Sequence, residues 1–228
     1  MENIKRQGLL GILYFLGNSS YAALLGLAAN LIFTIFLTPA EYGLYFIVLS
    51  LIAILNYFTD LGLAAALIQK KEPKEEEFYT AFTIQFLLIS LVVILGLLIL
   101  PFIKNWYQFN QMGEHLYLAM LFSLFCLSFK SVPSVRLERK LDYGKIVLTQ
   151  AVENTFFYGL SIIFLLLGLR IYALVIGIIV RSLVGVSLIY YFTRWKPKFF
   201  FSLSHAKGIL SFGLPFQKIG RASCRERV

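Results

Sequence analysis

Charged residues are scarce in this chain: Asp, Glu, Lys and Arg make up 14% of its 228 residues, whereas apolar residues make up 59%. Soluble domains carry about a quarter charged residues, because their surface must be hydrated. So few charges could not coat a globule of this size, and the apolar residues lie in long runs. The composition excludes an ordinary soluble domain. It predicts an all-α, polytopic membrane protein, since each helix that crosses a bilayer needs about 20 apolar residues.

Residue types on which enzymes and metal sites depend are also few. The chain has two cysteines, two histidines and only two aspartates, Asp60 and Asp142, so no disulfide framework is implied and no Asp-x-Asp pair exists. Neither histidine has an acid nearby in a recognisable motif, and there is no glycine-rich phosphate loop with a lysine. We predict a protein that is not an enzyme and uses no cofactor or metal.

Six apolar runs predict six membrane spans, separated by short polar breaks. The predicted spans cover residues 10–37, 42–68, 78–103, 116–132, 146–169 and 172–192. The first span follows a charged start, as a secretory signal would, but its apolar run exceeds the usual signal length, so we interpret it as an uncleaved span. A seventh apolar run begins near Ile209.

Lys and Arg residues divide unequally between the two sides of the membrane. Fourteen lie on the side of the N-terminus, and two, Lys104 and Arg170, lie on the other. Because basic residues concentrate in cytoplasmic loops, this distribution predicts a cytoplasmic N-terminus. It also accounts for the net charge of +9, which in a soluble protein would indicate nucleic acid. No nucleic-acid partner is expected.

The fifth and sixth spans carry an acid and a base at similar depths. At 1.5 Å per residue, Glu153 lies about 10 Å and Arg181 about 16 Å from the cytoplasmic end of its span. We predict that the two side chains pair or share one aqueous cavity. Gly177 and Gly185 lie one turn on either side of Arg181, which leaves space beside the guanidinium or lets another helix approach closely. The pair could line a passage or only fix helix packing.

Further polar side chains inside the spans are candidates to line the same passage, because polar groups at membrane depth usually face protein or water. Gln150 and Asn154 share a helix face with Glu153. Hydrogen bonding between helices would explain Asn30 equally well, and Asp60 could be a solvated acid at a helix end. The candidates in spans one and two are Asn18, Asn30, Asn56 and Asp60.

The C-terminal part of the chain changes character twice. The segment "KPKFFFSLSHAKGILSFG" mixes basic and aromatic residues and is expected in the cytoplasmic interface, with a plain loop as the alternative. The last ten residues, "IGRASCRERV", place three arginines where a seventh span would continue. They match the translation of a common sequencing adapter, so we expect adapter read-through in a naturally longer protein. The expected organisation is a six-helix lobe over 1–195, an interfacial segment with a truncated seventh span over 196–218, and a non-native tail over 219–228.

Three segments together resemble the bacterial polysaccharide exporter family, the O-antigen and oligosaccharide flippases of the multidrug/oligosaccharidyl-lipid/polysaccharide superfamily. "FLTPAEYGLYFIVLSLIAILNYFTDLGLAAALIQKKEP" is similar to that family's turn between spans one and two, its second span and its first cytoplasmic loop. "SVPSVRLERKLDYGKI" is similar to its loop between spans four and five, and "LSFGLPF" to the start of its span seven.

This resemblance implies a transporter of about 12–14 helices in the bacterial inner membrane, with two six-helix lobes that alternate access to a central cavity. The chain would be the first lobe. The implied cargo is an oligosaccharide on an undecaprenyl diphosphate carrier, moved for cell-surface polysaccharide such as the O-antigen of lipopolysaccharide. Membrane lipids and membrane proteins of polysaccharide assembly are further expected partners.

Related flippases line their cavity with basic residues. Here Arg181 is the only cation expected deep inside the spans, so diphosphate binding would depend on it, on the cytoplasmic mouth or on the second lobe. Two alternatives stay open. One is a drug or cation antiporter of the same superfamily, with Glu153 or Asp60 coupling the ion. The other is a non-transporting scaffold in a polysaccharide assembly complex.

Overall fold

The computed structural model describes residues 2–59, 62–208 and 211, with side chains from residue 10 onward. Asp60, most of the predicted start of span seven and the tail at 219–228 lie outside these residues. All of the regular structure in the described part is helical. The helices are α1 (Glu2–Phe36), α2 (Pro39–Tyr57), α3 (Leu63–Gln69), α4 (Glu75–Trp106), α5 (Gln111–Arg139), α6 (Tyr143–Leu166) and α7 (Ile171–Thr193).

Six helices, all but α3, are long and apolar enough to cross a membrane. This confirms the prediction of an all-α, multi-pass membrane protein. The 32 residues of α4 and the 29 residues of α5 correspond to about 48 and 44 Å at 1.5 Å per residue. Both exceed the roughly 30 Å hydrocarbon core, so their ends project into the aqueous boundary.

The second predicted span, over 42–68, is too long. α2 ends at Tyr57, where the Thr59 hydroxyl donates to the Asn56 carbonyl at 2.7 Å. The Gln85 side-chain amide on α4 donates to the Thr59 carbonyl at 2.8 Å, which satisfies a backbone group that the helix no longer uses. Gly62 has a φ of 68°, so the chain turns before the short α3 begins.

The fourth predicted break, over 130–145, is helical for most of its length, because α5 continues to Arg139. Arg136 donates to both carboxylate oxygens of Glu75 on α4, at 2.6 Å each. The Arg139 guanidinium donates to backbone carbonyls within residues 67–71, at the end of α3. These partners hold a basic segment in helical form beyond the bilayer, where hydropathy alone predicted a loop.

The helices pack around α7, which lies against both α5 and α6. α1 packs on α6, and α2 and α4 pack on α5. The main apolar core joins α1, α2, α5, α6 and α7 and includes Phe33, Val48, Leu116, Leu121 and Leu174. Around the middle of the lobe α2, α5, α6 and α7 do not close completely on one another, and the space between them is described below.

Residues 203–208 are helical, whereas the segment directly after α7, over residues 194–202, has no regular secondary structure. It runs along α4, where Trp195 packs on an α4 tyrosine with ring centroids 5.6 Å apart. The Thr83 hydroxyl accepts from the Phe200 amide at 3.1 Å and donates to the Phe200 carbonyl at 3.0 Å. These two hydrogen bonds satisfy the backbone amide and carbonyl of Phe200, which would bond within the chain if this segment were a helix.

Candidate functional site

A cavity of about 470 Å³ lies between α2, α5, α6 and α7. Aromatic side chains from α2 and α6 form part of its wall, and charged and hydroxyl groups from the other helices converge on it. Its polar lining consists of Asn56, Ser123, Lys130, Glu153, Arg181 and Ser182. Four helices thus bring charged and neutral polar groups to one place inside the membrane-spanning part of the molecule.

Glu153 joins the charged groups of this cavity. Its side chain is only 7% exposed and accepts a hydrogen bond from the Lys130 ammonium on α5. Its second carboxylate oxygen lies 4.0 Å from the Arg181 Nε on α7. The structure therefore brings Glu153 and Arg181 into one cavity, as their depths predicted, but the closer partner of Glu153 is Lys130.

Lys130 was missed from sequence, and the expectation that Arg181 is the only cation deep inside the spans was wrong. Lys130 falls within the predicted span 116–132 but counts there among the fourteen basic residues of the N-terminal side, because charges near the end of an apolar run usually mark a loop. A signal was present, since Lys130 lies one helical turn after the buried Cys126 and the five residues 131–135 that follow it are uncharged. Cys126 lines the same cavity.

The two glycines beside Arg181 admit neighbouring groups and do not leave open space. A Cβ at Gly185 would overlap the Glu153 carboxylate and lie 2.9 Å from the Lys130 Nζ. A Cβ at Gly177 would overlap the Ser161 hydroxyl on α6 and lie 3.0 Å from the carbonyl oxygen of Phe157. Gly177 therefore has the predicted role of close helix approach, whereas Gly185 leaves a space that the Glu153 carboxylate fills.

Arg181 is only loosely held. Its side chain is 42% exposed, and its guanidinium lies over the Phe157 ring at 5.6 Å from the centroid. Toward the residues that the structure describes it makes the long contact to Glu153 but no hydrogen bond. Because a guanidinium carries five N–H donors in a planar fork, most of the binding capacity of Arg181 is unused. Two cations and one carboxylate leave the cavity with one excess positive charge.

Asn56 also lines this cavity, and with Thr59 and Gln85 it lines a neighbouring one of about 320 Å³. Asn30 instead accepts from the Tyr42 hydroxyl at 3.1 Å and lines a separate groove of about 560 Å³ along α1. Asn56 in span two and Asn30 in span one therefore face different spaces.

Three more predicted residues lie outside the central cavity. The Asn18 amide on α1 donates to the Gln150 side-chain oxygen on α6 at 2.9 Å, so these two residues join helices. Asn154 is half-buried and does not belong to the cavity lining. Of the polar face predicted on the fifth span, only Glu153 reaches the cavity. Asp60 is outside the described residues.

Both basic residues assigned to the outer side of the membrane are paired. Arg170 donates to Glu41 at 2.9 Å, and Lys104 donates to Glu114 at 2.6 Å. Neither therefore offers a free cation at that face, in contrast to Arg181 in the cavity. Among the described residues, no group of three His, Cys, Asp or Glu side chains could hold a metal ion.

A family profile with the description "Polysaccharide biosynthesis protein" matches residues 32–220. The chain is also 26% identical, over 182 residues, to the succinoglycan biosynthesis transport protein ExoT of Rhizobium meliloti (strain 1021). That match covers 78% of this chain and 36% of the relative, so the chain spans about a third of the relative's length. No solved structure matches the chain.

Proposed function

The chain belongs to the polysaccharide biosynthesis protein family, and on that premise we propose that it forms one helical lobe of a flippase for lipid-linked oligosaccharide. The lobe lies in the bacterial inner membrane with its N-terminus in the cytoplasm, and the complete transporter works by alternating access. Six apolar helices and similarity to a transport protein support this proposal. The unequal distribution of Lys and Arg supports the orientation.

The observation that carries the proposal is the excess positive charge of the cavity. Lys130 and Arg181 face a single carboxylate, Glu153, at a depth where unpaired charges are costly. Such a cost is offset when an anion binds there. A lipid-linked oligosaccharide supplies that anion, because a diphosphate joins its lipid to its sugar. The unused donors of Arg181 fit a phosphate group in a bidentate manner.

The remaining lining suits the saccharide part of the same ligand. Tyr45 and Tyr158 contribute aromatic faces, and Asn56, Ser123 and Ser182 contribute neutral polar groups. Binding sites of this kind combine apolar and aromatic walls with a few polar groups that fix the ligand's orientation. In this arrangement the charged groups of α5 and α7 bind the diphosphate, and α2 and α6 contact the adjoining sugar.

A drug or cation antiporter is the second candidate, because Glu153 is a buried carboxylate in a membrane cavity. In that function Glu153 itself would bind the coupling ion. Export of a fluorescent cation would then depend on a proton or sodium gradient and would be abolished by Glu153→Gln. If the protein is a flippase, neither the wild type nor Glu153→Gln exports the fluorescent cation.

Binding of inorganic pyrophosphate to the detergent-purified protein tests the proposed function. We expect Arg181→Gln to weaken binding at least about tenfold, because a charge-assisted hydrogen bond contributes about 1.5–3 kcal/mol. Arg194→Gln is the matched control, since Arg194 follows the end of α7 and is outside the cavity. Equal affinity of the wild type and Arg181→Gln, or no binding by the wild type, would contradict the proposal.

A further inference from the structure

We propose that Glu153 is an internal counterion, which an anionic ligand displaces from Lys130 and Arg181. This inference rests on the proposed function and concerns the same cavity. It assigns to Glu153 a positioning role: the carboxylate occupies the anion site while the cavity is empty and limits how tightly the ligand is held.

Glu153 sits in a space that the chain leaves for a carboxylate. Gly185 on α7 faces it, and any Cβ there would overlap the Glu153 Oε1 and crowd the Lys130 Nζ. The absent side chain therefore lets Glu153 reach across from α6 to Lys130 on α5. One carboxylate thus spans the junction of three helices and is itself almost fully buried.

The two cations are not neutralised equally. Lys130 donates directly to Glu153, whereas the Arg181 Nε is 4.0 Å from the carboxylate and its side chain is six times more exposed than that of Glu153. An entering anion therefore meets Arg181 first. Once bound to Arg181, the anion lies next to Lys130 and competes with the Glu153 carboxylate for the Lys130 ammonium. The anion and the carboxylate also repel each other, because both are negatively charged.

The charges of the ligand and of the two cations are matched only when Glu153 does not take part. A diphosphate diester carries two negative charges, and Lys130 and Arg181 carry two positive charges. While Glu153 stays beside them, one of these positive charges is already compensated. The carboxylate therefore lowers the affinity, and it pairs with Lys130 again when the ligand leaves. A transport site needs both properties, since binding must be strong enough for entry and weak enough for release.

Two substitutions remove the competing carboxylate by independent routes. Glu153→Gln removes its charge, and Gly185→Ala keeps the charge but fills the space that the carboxylate occupies. We expect both to tighten binding of inorganic pyrophosphate to the purified full chain by at least about fivefold, the lower end of typical coupling between sites.

Gly177→Ala is the matched control for the glycine substitution. Gly177 lies on the same face of α7, but a Cβ there meets Ser161 and Phe157 instead of the charged groups. We expect it to lower the unfolding temperature without tightening pyrophosphate binding. If Gly177→Ala tightened binding as much as Gly185→Ala, the effect would come from altered helix packing and the inference would be wrong.

The outcomes separate this inference from the proposed function. Unchanged or weaker binding by both Glu153→Gln and Gly185→Ala overturns the counterion role, while loss of binding in Arg181→Gln still supports an anion site. No binding in the wild type overturns the proposed function itself. Should Glu153→Gln fail to fold, Gly185→Ala alone decides. Tighter binding accompanied by slower polysaccharide export in cells would support the counterion role, because the ligand would then be released more slowly.

Discussion

Replacing Gly177 with alanine should destabilise the lobe where α6 and α7 pack most closely. The new Cβ would overlap the Ser161 hydroxyl and lie 3.0 Å from the Phe157 carbonyl oxygen and 3.2 Å from a carbon of its ring. Carbon atoms contact optimally at about 3.5–4.0 Å, so the helices must separate or the side chains must leave their rotamers. Overpacking of this kind costs about 1–3 kcal/mol, and we expect a loss within that range.

Reversible unfolding in mixed micelles would measure this loss, with Gly159→Ala as the control. Gly159 lies on α6, the helix against which Gly177 packs. A Cβ at Gly159 would have no atom within 4 Å, so alanine there should be neutral or slightly stabilising. Combining Gly177→Ala with Ser161→Ala removes the overlapping oxygen and should recover about 1 kcal/mol as a coupling free energy. If Gly177→Ala unfolded like Gly159→Ala, the close approach of α6 and α7 at this glycine would be refuted.

Two further predictions concern the cytoplasmic end and the orientation of the chain. Arg136→Gln should lower the free energy of unfolding by about 1 kcal/mol, because it removes a partly exposed ion pair with Glu75 and a cation–π contact to Phe78 at 4.8 Å. In the same micelle unfolding assay, Arg136→Lys should lose less stability than Arg136→Gln, because lysine keeps the charge. A cysteine at Lys140 should react with a membrane-impermeant thiol reagent only in opened cells, whereas one at Lys104 should react in intact cells. The reverse labelling pattern would contradict a cytoplasmic N-terminus.

The number and order of the spans could be predicted from hydropathy because lipid imposes a simple length rule on apolar helices. The boundaries could not be predicted where polar contacts decide them. α2 ends at Tyr57 although the chain stays largely apolar to Ile68, and Gln85 on another helix bonds the Thr59 carbonyl just beyond that end. Hydropathy contains no information about that partner. Nor does it show that α5 continues to Arg139, because Glu75 and the end of α3 stabilise that extension.

The candidate site shows the same division. The depths of Glu153 and Arg181 could be counted along their spans, so their meeting in one cavity was predictable. Lys130 was not predicted, because its charge near the end of an apolar run indicated a loop, although the uncharged residues 131–135 after it favour a continuing helix. Asn18 was predicted as a lining residue from its polarity, and Gln150 from its polarity and from the helix face that it shares with Glu153. Polarity does not distinguish a side chain that faces a cavity from one that bonds a neighbouring helix, and the structure places these two residues between α1 and α6.

The extension of α5 also connects the cavity to the C-terminal end of that helix. Lys130 lies six residues, or about 9 Å, before Arg136, which is bound to Glu75 at the start of α4. Both cations are on one continuous helix, with Pro133 between them, and a helix bends most readily at a proline. The packing of α5 against α4 therefore helps to fix where Lys130 meets Glu153 on α6, and a bend at Pro133 would change that position.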